Sequence, residues 1–342
     1  MRRFYTTAAW KRFSAMKARY AAKRHTSKWK NRKRSRIAVS YSVFREKRRR
    51  AQQPFIRLVA PKQFSLISNT NEVLKYFESA ERMFAKGENV GFDISEVEIL
   101  TADAIALLVA SIKDSDFTHG GNYRGTAPAK PELNKLFMES GFLEHVRHDW
   151  NDAHINKENL LHKEDNFKVS PKIAKSASLT GIRHVSQNSR PFEALYEILI
   201  ECMSNTNNHA DLSSAGKCKW WIYVYSNPNE KVSSYSFVDV GVGIFKSAVI
   251  QDKIKQRLKG TVLYPNIKLV PELLSGKLQS RIDKDNALRG KGIPQIIDHS
   301  KSPRFRSFYI ITNDVRIDLK TGTSEQLNHN LNGTFLHWEL VK

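Results

Sequence analysis

The chain has 342 residues, 40% of them hydrophobic, and a formal net charge of +22. This length suits two ordinary domains. Two cysteines, Cys202 and Cys218, exclude a disulfide framework or a four-cysteine zinc site, and the absence of any run of eighteen apolar residues predicts no transmembrane helix. We therefore expect a soluble cytoplasmic protein.

The positive charge is concentrated in residues 1–53, which contain 19 Lys or Arg residues and one acidic residue, Glu46, for a local charge of +18. Between Ala8 and Arg24 apolar residues recur at three-to-four spacing, which predicts an amphipathic helix. Basic charge interleaved with aromatic rings favours binding of nucleic acid or another polyanion. A solvated tail, a helix on anionic lipid, a protein-binding segment and an Arg-rich transit peptide are the alternatives.

Residues 54–148 alternate between strand-like and helical patterns, which predicts an α/β domain. The predicted elements are a strand at 55–59, a helix at 71–85, a strand at 89–94 and helices at 102–113 and 131–139. Three stretches, Val90–Val97, Leu100–Leu108 and Leu136–Phe142, resemble the central strand, the switch loop with its helix and the closing motif of STAS domains, the fold of anti-sigma-factor antagonists. The resemblance covers about ninety residues and implies a protein partner.

The STAS resemblance also identifies two candidate switch residues, Thr101 and Asp103. Regulatory members of that family carry a phosphorylatable serine at the helix N-terminus, where this chain has Ala102 and Asp103. An acidic group at this position is a permanent partial mimic of a phosphate. The alternative is that Asp103 or Thr101 simply caps the helix, and Thr101 is a further candidate phosphate acceptor.

A polar stretch at 149–182 shows little apolar periodicity, and we interpret it as a linker with one or two short elements that begin the next domain. Beyond it, the segment from Pro191 predicts a helix with two distinct faces. The residues of the apolar face are Leu195, Ile198, Leu199, Cys202 and Met203. A polar stripe at four-residue spacing contains Glu197, Glu201, Asn205 and His209, with Asn208 beside it. This stripe suits a polar ligand, and a solvated helix surface is the alternative.

Three glycine-containing motifs follow. Asp239-Val240-Gly241-Val242-Gly243-Ile244 ends a predicted strand, so backbone can approach a flat ligand while the carboxylate accepts amino protons. Arg289-Gly290-Lys291-Gly292 precedes a helical segment at 295–299, which favours a phosphate cradle. Asn332-Gly333-Thr334 is a turn into an alternating strand that ends at Leu340.

In this order, the four motifs resemble the nucleotide-binding motifs of GHKL ATP-binding domains, whose Bergerat fold is an α/β sandwich. The resemblance covers 183–342 and implies ATP and Mg²⁺ as cofactors. Asn205 corresponds to the Mg²⁺ ligand, Asp239 to the acid that binds the adenine amino group and Thr334 to a residue near the ring. The other implied nucleotide-site residues are Asn208, His209, Gly241, Gly243, Ile244, Arg289, Gly290, Lys291 and Gly292. Residues 245–288 then take the position of the ATP lid.

Glu201 precedes Asn205 by four residues, the position of the general base in GHKL ATPases and in anti-sigma-factor serine kinases. The histidine four residues after Asn205, His209, makes this motif most similar to that of the serine kinases. The resemblance implies ATP hydrolysis or phosphorylation of a protein Ser or Thr with Glu201 as general base. His184 lies in a short polar context, so a two-component histidine kinase is not expected. A nucleic-acid-associated ATPase that uses residues 1–53 and a non-catalytic nucleotide-binding scaffold are the alternatives.

The sequence therefore predicts a basic, partly helical arm at 1–53, a STAS-like α/β domain at 54–148, a linker at 149–182 and a Bergerat-fold α/β sandwich at 183–342. We expect the two folded parts to act together as a regulatory ATP-binding protein.

Overall fold

The computed structural model describes residues 15–17, 53–146, 159–164, 169–186, 192–209, 220–249, 265–276, 278–280 and 292–342. The chain divides into two units, residues 1–54 and residues 55–342, and residues 55–342 are compact. Of the predicted helix at 8–24, only residues 15–17 are described, and they are helical. The rest of that predicted helix, and the basic residues up to 52, lie outside the described residues.

The first part of the larger unit, residues 55–145, is called here the amino-terminal module. Its elements are β1 (Phe55–Val59), β2 (Gln63–Phe64), α1 (Thr70–Ala85), β3 (Asn89–Asp93), β4 (Ile99–Leu100), α2 (Ala102–Lys113), α3 (Ser115–Thr118), β5 (Tyr123–Gly125), α4 (Pro131–Glu139) and a 3₁₀ helix at Phe142–His145. Strands β1, β3 and β5 form a parallel sheet in the order β1-β3-β5, and β2 pairs with β4 in parallel. The predicted alternation of strands and helices is confirmed.

The remainder of this unit is built around one larger sheet. Its elements are β6 (Leu160–Glu164), α5 (Pro171–Ser186), α6 (Glu193–His209), β7 (Trp220–Ser226), β8 (Ser233–Asp239), α7 (Ile244–Ser247), β9 (Ala248–Val249), a 3₁₀ helix at Asn266–Leu269, α8 (Val270–Leu274), β10 (Gln279–Ser280), α9 (Gly292–Ser300), β11 (Phe305–Asp318) and β12 (Ser324–Leu340). Five strands form an antiparallel sheet in the order β11-β12-β8-β7-β6, and β9 pairs with β10. The fold is thus mixed α/β.

Both faces of the five-stranded sheet are buried. On β7, Trp220, Ile222 and Val224 pack with the apolar faces of α5 and α6, whereas Trp221 and Tyr223 pack with the amino-terminal module. Successive side chains of a strand point to opposite faces, so a strand covered on both sides needs a continuous apolar run. This requirement explains the uninterrupted aromatic and aliphatic sequence of β7.

Helix α2 is the part of the amino-terminal module that packs against β7 and β8 of the five-stranded sheet. Every residue from Ala102 to Ile112 is buried, and the helix contacts β7 and β8. A helix that is apolar on all sides is buried on all sides, so α2 has no solvent face to present. Helix α1 also packs against the five-stranded sheet, through contacts with β12. Among them is a hydrogen bond of 2.8 Å from the Asn328 backbone N–H to Asn71 Oδ1.

Two sequence-based interpretations need correction. Helix α5 begins at Pro171, inside the stretch interpreted as a linker, and is longer than the short elements expected there. It places His184 in a helix, where its Nε2 lies 2.8 Å from the Glu230 carbonyl oxygen. Its buried face consists mainly of small residues, which carry little apolar signal: Ala174, Ala177, Ser178, Gly181, Ile182 and Val185. The Gly333-Thr334 pair does not begin a strand, because β12 already starts at Ser324.

The described residues include no helix that combines the length and the apolar character needed to cross a membrane.

Candidate functional site

Glu201 and Asn205 of the predicted polar stripe of α6 face the start of α9. A Cβ built on Gly292, the first residue of α9, would lie 2.7 Å from Asn205 Oδ1 and 2.8 Å from Glu201 Oε2. Only a glycine leaves room for both side chains at this point. The structure therefore brings together one carboxylate, one amide and the N-terminus of a helix, whose free backbone N–H groups attract anions.

Helix α9 also orders the preceding turn of the stripe. His299 Nε2 lies 2.6 Å from Glu197 Oε2, and Gln295 donates to the same oxygen at 3.5 Å. The pKa of Glu201 is raised, mainly because burial disfavours its charged form and also because the Glu197 carboxylate is near. His299 opposes this shift. Glu201 is therefore a more basic carboxylate than an exposed glutamate.

Asn205 has an unsatisfied side-chain amide. Its Nδ2 atom is buried and has no hydrogen-bond partner among the described residues. The two amide atoms of asparagine are distinguished only by their partners, so this position offers either a donor or a carbonyl oxygen to a ligand. A buried polar atom without a partner is costly in a folded protein, which is a reason to expect that a ligand satisfies it.

Asp239 ends β8 on the helix-covered face of the sheet, in register with Thr334 of β12. Its Oδ1 accepts a hydrogen bond from the Thr334 backbone N–H at 3.1 Å. Burial raises the pKa of Asp239 to about 7, against the lowering effect of hydrogen bonds from Thr334 and Gly241. A carboxylate with such a raised pKa gains from any ligand that brings it another hydrogen-bond donor.

The loop after Asp239 is held by two residues that the sequence motifs did not identify. Asn313 has a φ of +52°, donates through Nδ2 to the Val242 carbonyl oxygen at 2.9 Å and accepts from the Phe245 N–H at 3.2 Å. Thr312 Oγ1 accepts from the Ile244 N–H at 2.9 Å and donates to the Gly333 carbonyl oxygen at 3.1 Å. A positive φ is uncommon outside glycine, and asparagine adopts it more readily than most residues. An asparagine in the middle of a strand-like sequence, as at Asn313, was therefore the only sequence signal of this irregularity in β11.

Cys202 of α6 is within electrostatic range of both Asp239 and Glu201. Its thiol is buried, and its pKa is raised by burial and further by the Asp239 and Glu201 carboxylates. The Asp239 loop and the Glu201–Asn205 stripe therefore lie within electrostatic range of a common residue. The buried thiol itself is inert under these conditions.

Several predicted site residues are not placed. Arg289, Gly290 and Lys291 lie outside the described residues, as does most of the predicted lid, including its Lys-rich stretch at 253–259. The described pieces of that lid are 245–249, 265–276 and 278–280. Asn208 and His209 belong to the last turn of α6, but their side chains are not described.

The candidate switch residues lie on the opposite side of the sheet from Asp239. Asp103 is buried and its Oδ2 accepts hydrogen bonds from the Ile67 backbone N–H at 2.8 Å and from Ser65 Oγ at 3.3 Å. Thr101 is the N-cap residue of α2 but makes no side-chain capping bond. The capping interpretation is therefore wrong for Thr101, and the Asp103 carboxylate is hydrogen-bonded to the segment that follows β2.

The described residues contain no group of three or more His, Cys, Asp or Glu side chains able to hold a metal ion. A magnesium ion held mainly by phosphates and water needs only one or two protein ligands. Comparison with protein-family models and with curated proteins finds no match to this chain.

If these residues bind the nucleotide that the motif resemblance implies, replacing Gly292 with alanine is expected to weaken that binding more than tenfold and to change the free energy of unfolding by less than about 1 kcal/mol. The new methyl group meets the ends of the Asn205 and Glu201 side chains. These flexible ends can move aside, so we expect the site to be distorted and the fold to be retained. Calorimetric titration and urea unfolding measure the two effects. Gly125→Ala is the control, because a Cβ there meets nothing closer than 3.4 Å. Unaltered binding by Gly292→Ala would contradict this placement of the site.

Gly333→Ala is expected to destabilise the protein by about 2–3 kcal/mol. Gly333 has a φ of +123°, and a Cβ there would overlap the Asp239 carbonyl oxygen, which is backbone and cannot move aside. Gly322→Ala, which has a φ of +72° and no atom within 4 Å of the added Cβ, is expected to cost about 1 kcal/mol. Urea unfolding of both variants checks the difference, and equal costs would show that the overlap at Asp239 is unimportant.

Proposed function

We propose that the chain is a regulatory protein that binds Mg-ATP in a GHKL-type Bergerat domain associated with a STAS-like module. The observation that carries the proposal is the contact of Glu201 and Asn205 with Gly292. Residues almost ninety positions apart meet where the motif resemblance requires a carboxylate, an amide and a phosphate-binding helix. The buried Asp239 beside Gly333 and Thr334 supports it from the other end of the site.

Each part of the site fits one part of the nucleotide. The Asp239 carboxylate suits the adenine amino group, and backbone N–H groups at the start of α9 suit phosphate oxygens. The side-chain oxygen of Asn205 is a suitable ligand for Mg²⁺, and the unsatisfied amide of this residue is an independent sign of a missing partner. When bound, Mg-ATP supplies the phosphoryl group and the cation that neutralises its charge.

Glu201 has the properties of a general base in this site. It lies one helical turn from Asn205, and its raised pKa makes it better able to take a proton from a water or from a Ser or Thr hydroxyl. Glu197, whose Oε2 lies 2.6 Å from His299 Nε2, is a nearby carboxylate that raises the pKa of Glu201 further. This chemistry is that of an ATPase or of a serine/threonine kinase.

Incubation with Mg²⁺ and γ-labelled ATP tests the proposal. Release of labelled phosphate supports the ATPase, and label retained on a Ser or Thr of a protein supports the kinase. Glu201→Ala is expected to abolish either signal. Binding of ATP without release or transfer would overturn the catalytic part of the proposal, and absence of binding would overturn all of it.

A further inference from the structure

A cavity lies on the face of the five-stranded sheet opposite Asp239. It has a volume of about 350 Å³ and is a partly open cleft between the amino-terminal module and strands β7, β8, β11 and β12. The module contributes the segments around Ser65, Thr101 and Leu136, and the sheet contributes hydroxyl, aromatic and ionisable side chains. This volume is within the range of small-molecule sites.

His337 of β12 presents an unsatisfied nitrogen to this cavity. The residue is only 7% exposed, and its Nδ1 lies 3.1 Å from Ser236 Oγ, which fixes the ring. Its Nε2 has no hydrogen bond to any described residue. Burial lowers the pKa of His337, against the raising effect of the Asp103 and Glu339 carboxylates, and this direction favours the neutral imidazole. A neutral imidazole with one anchored nitrogen offers the other nitrogen to a ligand.

Two carboxylates line the cavity, and each uses only one of its two oxygens in the hydrogen bonds of the described residues. Asp103 is 2% exposed, and its hydrogen bonds from Ile67 and Ser65 both use Oδ2. Glu339 accepts from Arg306 Nε at 2.9 Å and from Ser307 Oγ at 3.1 Å, and both bonds use Oε2. The second oxygens, Oδ1 of Asp103 and Oε1 of Glu339, make no hydrogen bond within the described part of the chain.

The charge of the wall decides the class of ligand. The described wall contains two carboxylates and no Lys or Arg, although Arg306 reaches Glu339 from outside it. An anion would be repelled here, whereas an ammonium group would gain charge-assisted hydrogen bonds. Because the described residues hold no three-ligand metal group, an organic cation fits better than a metal ion.

We propose that this cavity is a second ligand site, which binds a small organic amine between Asp103, Glu339 and His337. The ammonium group donates to the spare carboxylate oxygens, and the hydroxyl groups of Ser65, Thr101 and Tyr309 complete a polar wall. The site includes the predicted switch residue Asp103 and joins the module to the sheet. It lies on the other face from the ATP site, so it stands independently of the proposed function.

Calorimetric titration of the full chain with ethanolamine, putrescine and agmatine tests the proposal, with glutarate as the anionic control. We expect saturable one-to-one binding of at least one amine and none of glutarate. Asp103→Asn and Glu339→Gln keep the shape of each side chain and are each expected to weaken binding more than tenfold. Ser234→Leu, which fills the cavity but retains both carboxylates, is expected to abolish it. Glu132→Gln, at an exposed site on α4, is the matched control.

The strongly positive chain disfavours unspecific attraction of amines, so saturable binding points to a defined site. The proposal is overturned if none of the three amines binds at up to about 10 mM, or if Ser234→Leu or both carboxylate variants bind as well as the wild type. It is also overturned if glutarate binds in competition with an amine. Near-ultraviolet circular dichroism shows whether each variant retains the native packing of the tryptophans, so that loss of binding is not mistaken for unfolding.

Discussion

Asp239→Asn is expected to weaken Mg-ATP binding about 100-fold and, at the same time, to make the nucleotide-free protein more stable at about pH 8. Binding falls because the asparagine amide places a donor where the adenine amino group needs an acceptor. Stability rises because the wild-type carboxylate is buried and must ionise in an unfavourable environment. The two effects have opposite signs, which distinguishes a ligand-binding acid from a structural one.

The pH dependence follows from the raised pKa of Asp239. Its folded-state pKa of about 7 exceeds the ordinary value of 3.8, so the folded protein binds more protons than the unfolded chain between these values. The wild type therefore loses stability as the pH rises through this window, by up to about 4 kcal/mol above it. Asp239→Asn removes this loss, so its advantage is expected to be about 4 kcal/mol near pH 8 and about 2 kcal/mol near pH 5.

Urea unfolding at the two pH values and calorimetric titration with Mg-ATP measure both effects. Asp298→Asn is the control, because Asp298 is exposed on α9 and pairs only with Lys301 among the described residues. We expect that control to change neither quantity by more than a few tenths of a kcal/mol. An Asp239→Asn protein that binds ATP normally, or is less stable than the wild type near pH 8, would contradict the role assigned to Asp239.

Glu201→Gln is expected to lower the rate of phosphate release or transfer about 10²- to 10⁴-fold and to change ATP affinity only a few-fold. Glutamine keeps the size and shape of the side chain but cannot take a proton. Single-turnover measurement with γ-labelled ATP gives the rate, and calorimetry gives the affinity. If the rate is unchanged, Glu201 is not the base.

Glu197→Gln is the matched variant for this experiment, because it removes a carboxylate one turn earlier on the same helix. Glu197 raises the pKa of Glu201, so its removal is expected to shift the rise of the rate with pH toward lower pH and to retain turnover within about tenfold. The pH profile of the single-turnover rate tests this shift. A profile that moves to higher pH would show that Glu197 does not act through its charge.

The sequence predicted the helices and strands of the molecule better than their association. The helices at 102–113 and 131–139 have the predicted bounds, because apolar content and, for the second helix, the Pro131 and Gly141 that flank it are local signals. The uniform burial of α2 could also have been anticipated, since an apolar run without a polar face predicts burial on all sides. The packing of α2 on β7 and β8 could not have been anticipated. It depends on contacts between residues far apart in the chain, and the periodicity of one segment carries no information about such contacts.

The polar residues and glycines of the candidate site could be predicted from the sequence. The residues that hold the loop after Asp239 in place could not. Glu201, Asn205 and Asp239 were identified by spacing, and the structure places Gly292 against the first two. Thr312 and Asn313 were missed because a threonine and an asparagine inside a strand-like sequence have no distinctive spacing. The cavity on the opposite face of the sheet was also missed. Asp103 is more than 200 residues from His337 and Glu339 in the chain, so no local pattern brings them together.

The most direct test of the account is a calorimetric comparison of non-hydrolysable ATP and GTP analogues, each with Mg²⁺, at about pH 8. Adenine presents an amino donor at the position where guanine presents a carbonyl acceptor, and only the donor can satisfy the Asp239 carboxylate. We predict one-to-one binding of the ATP analogue with at least about 100-fold preference over the GTP analogue. Equal binding of the two analogues, or no binding of either, would contradict the account.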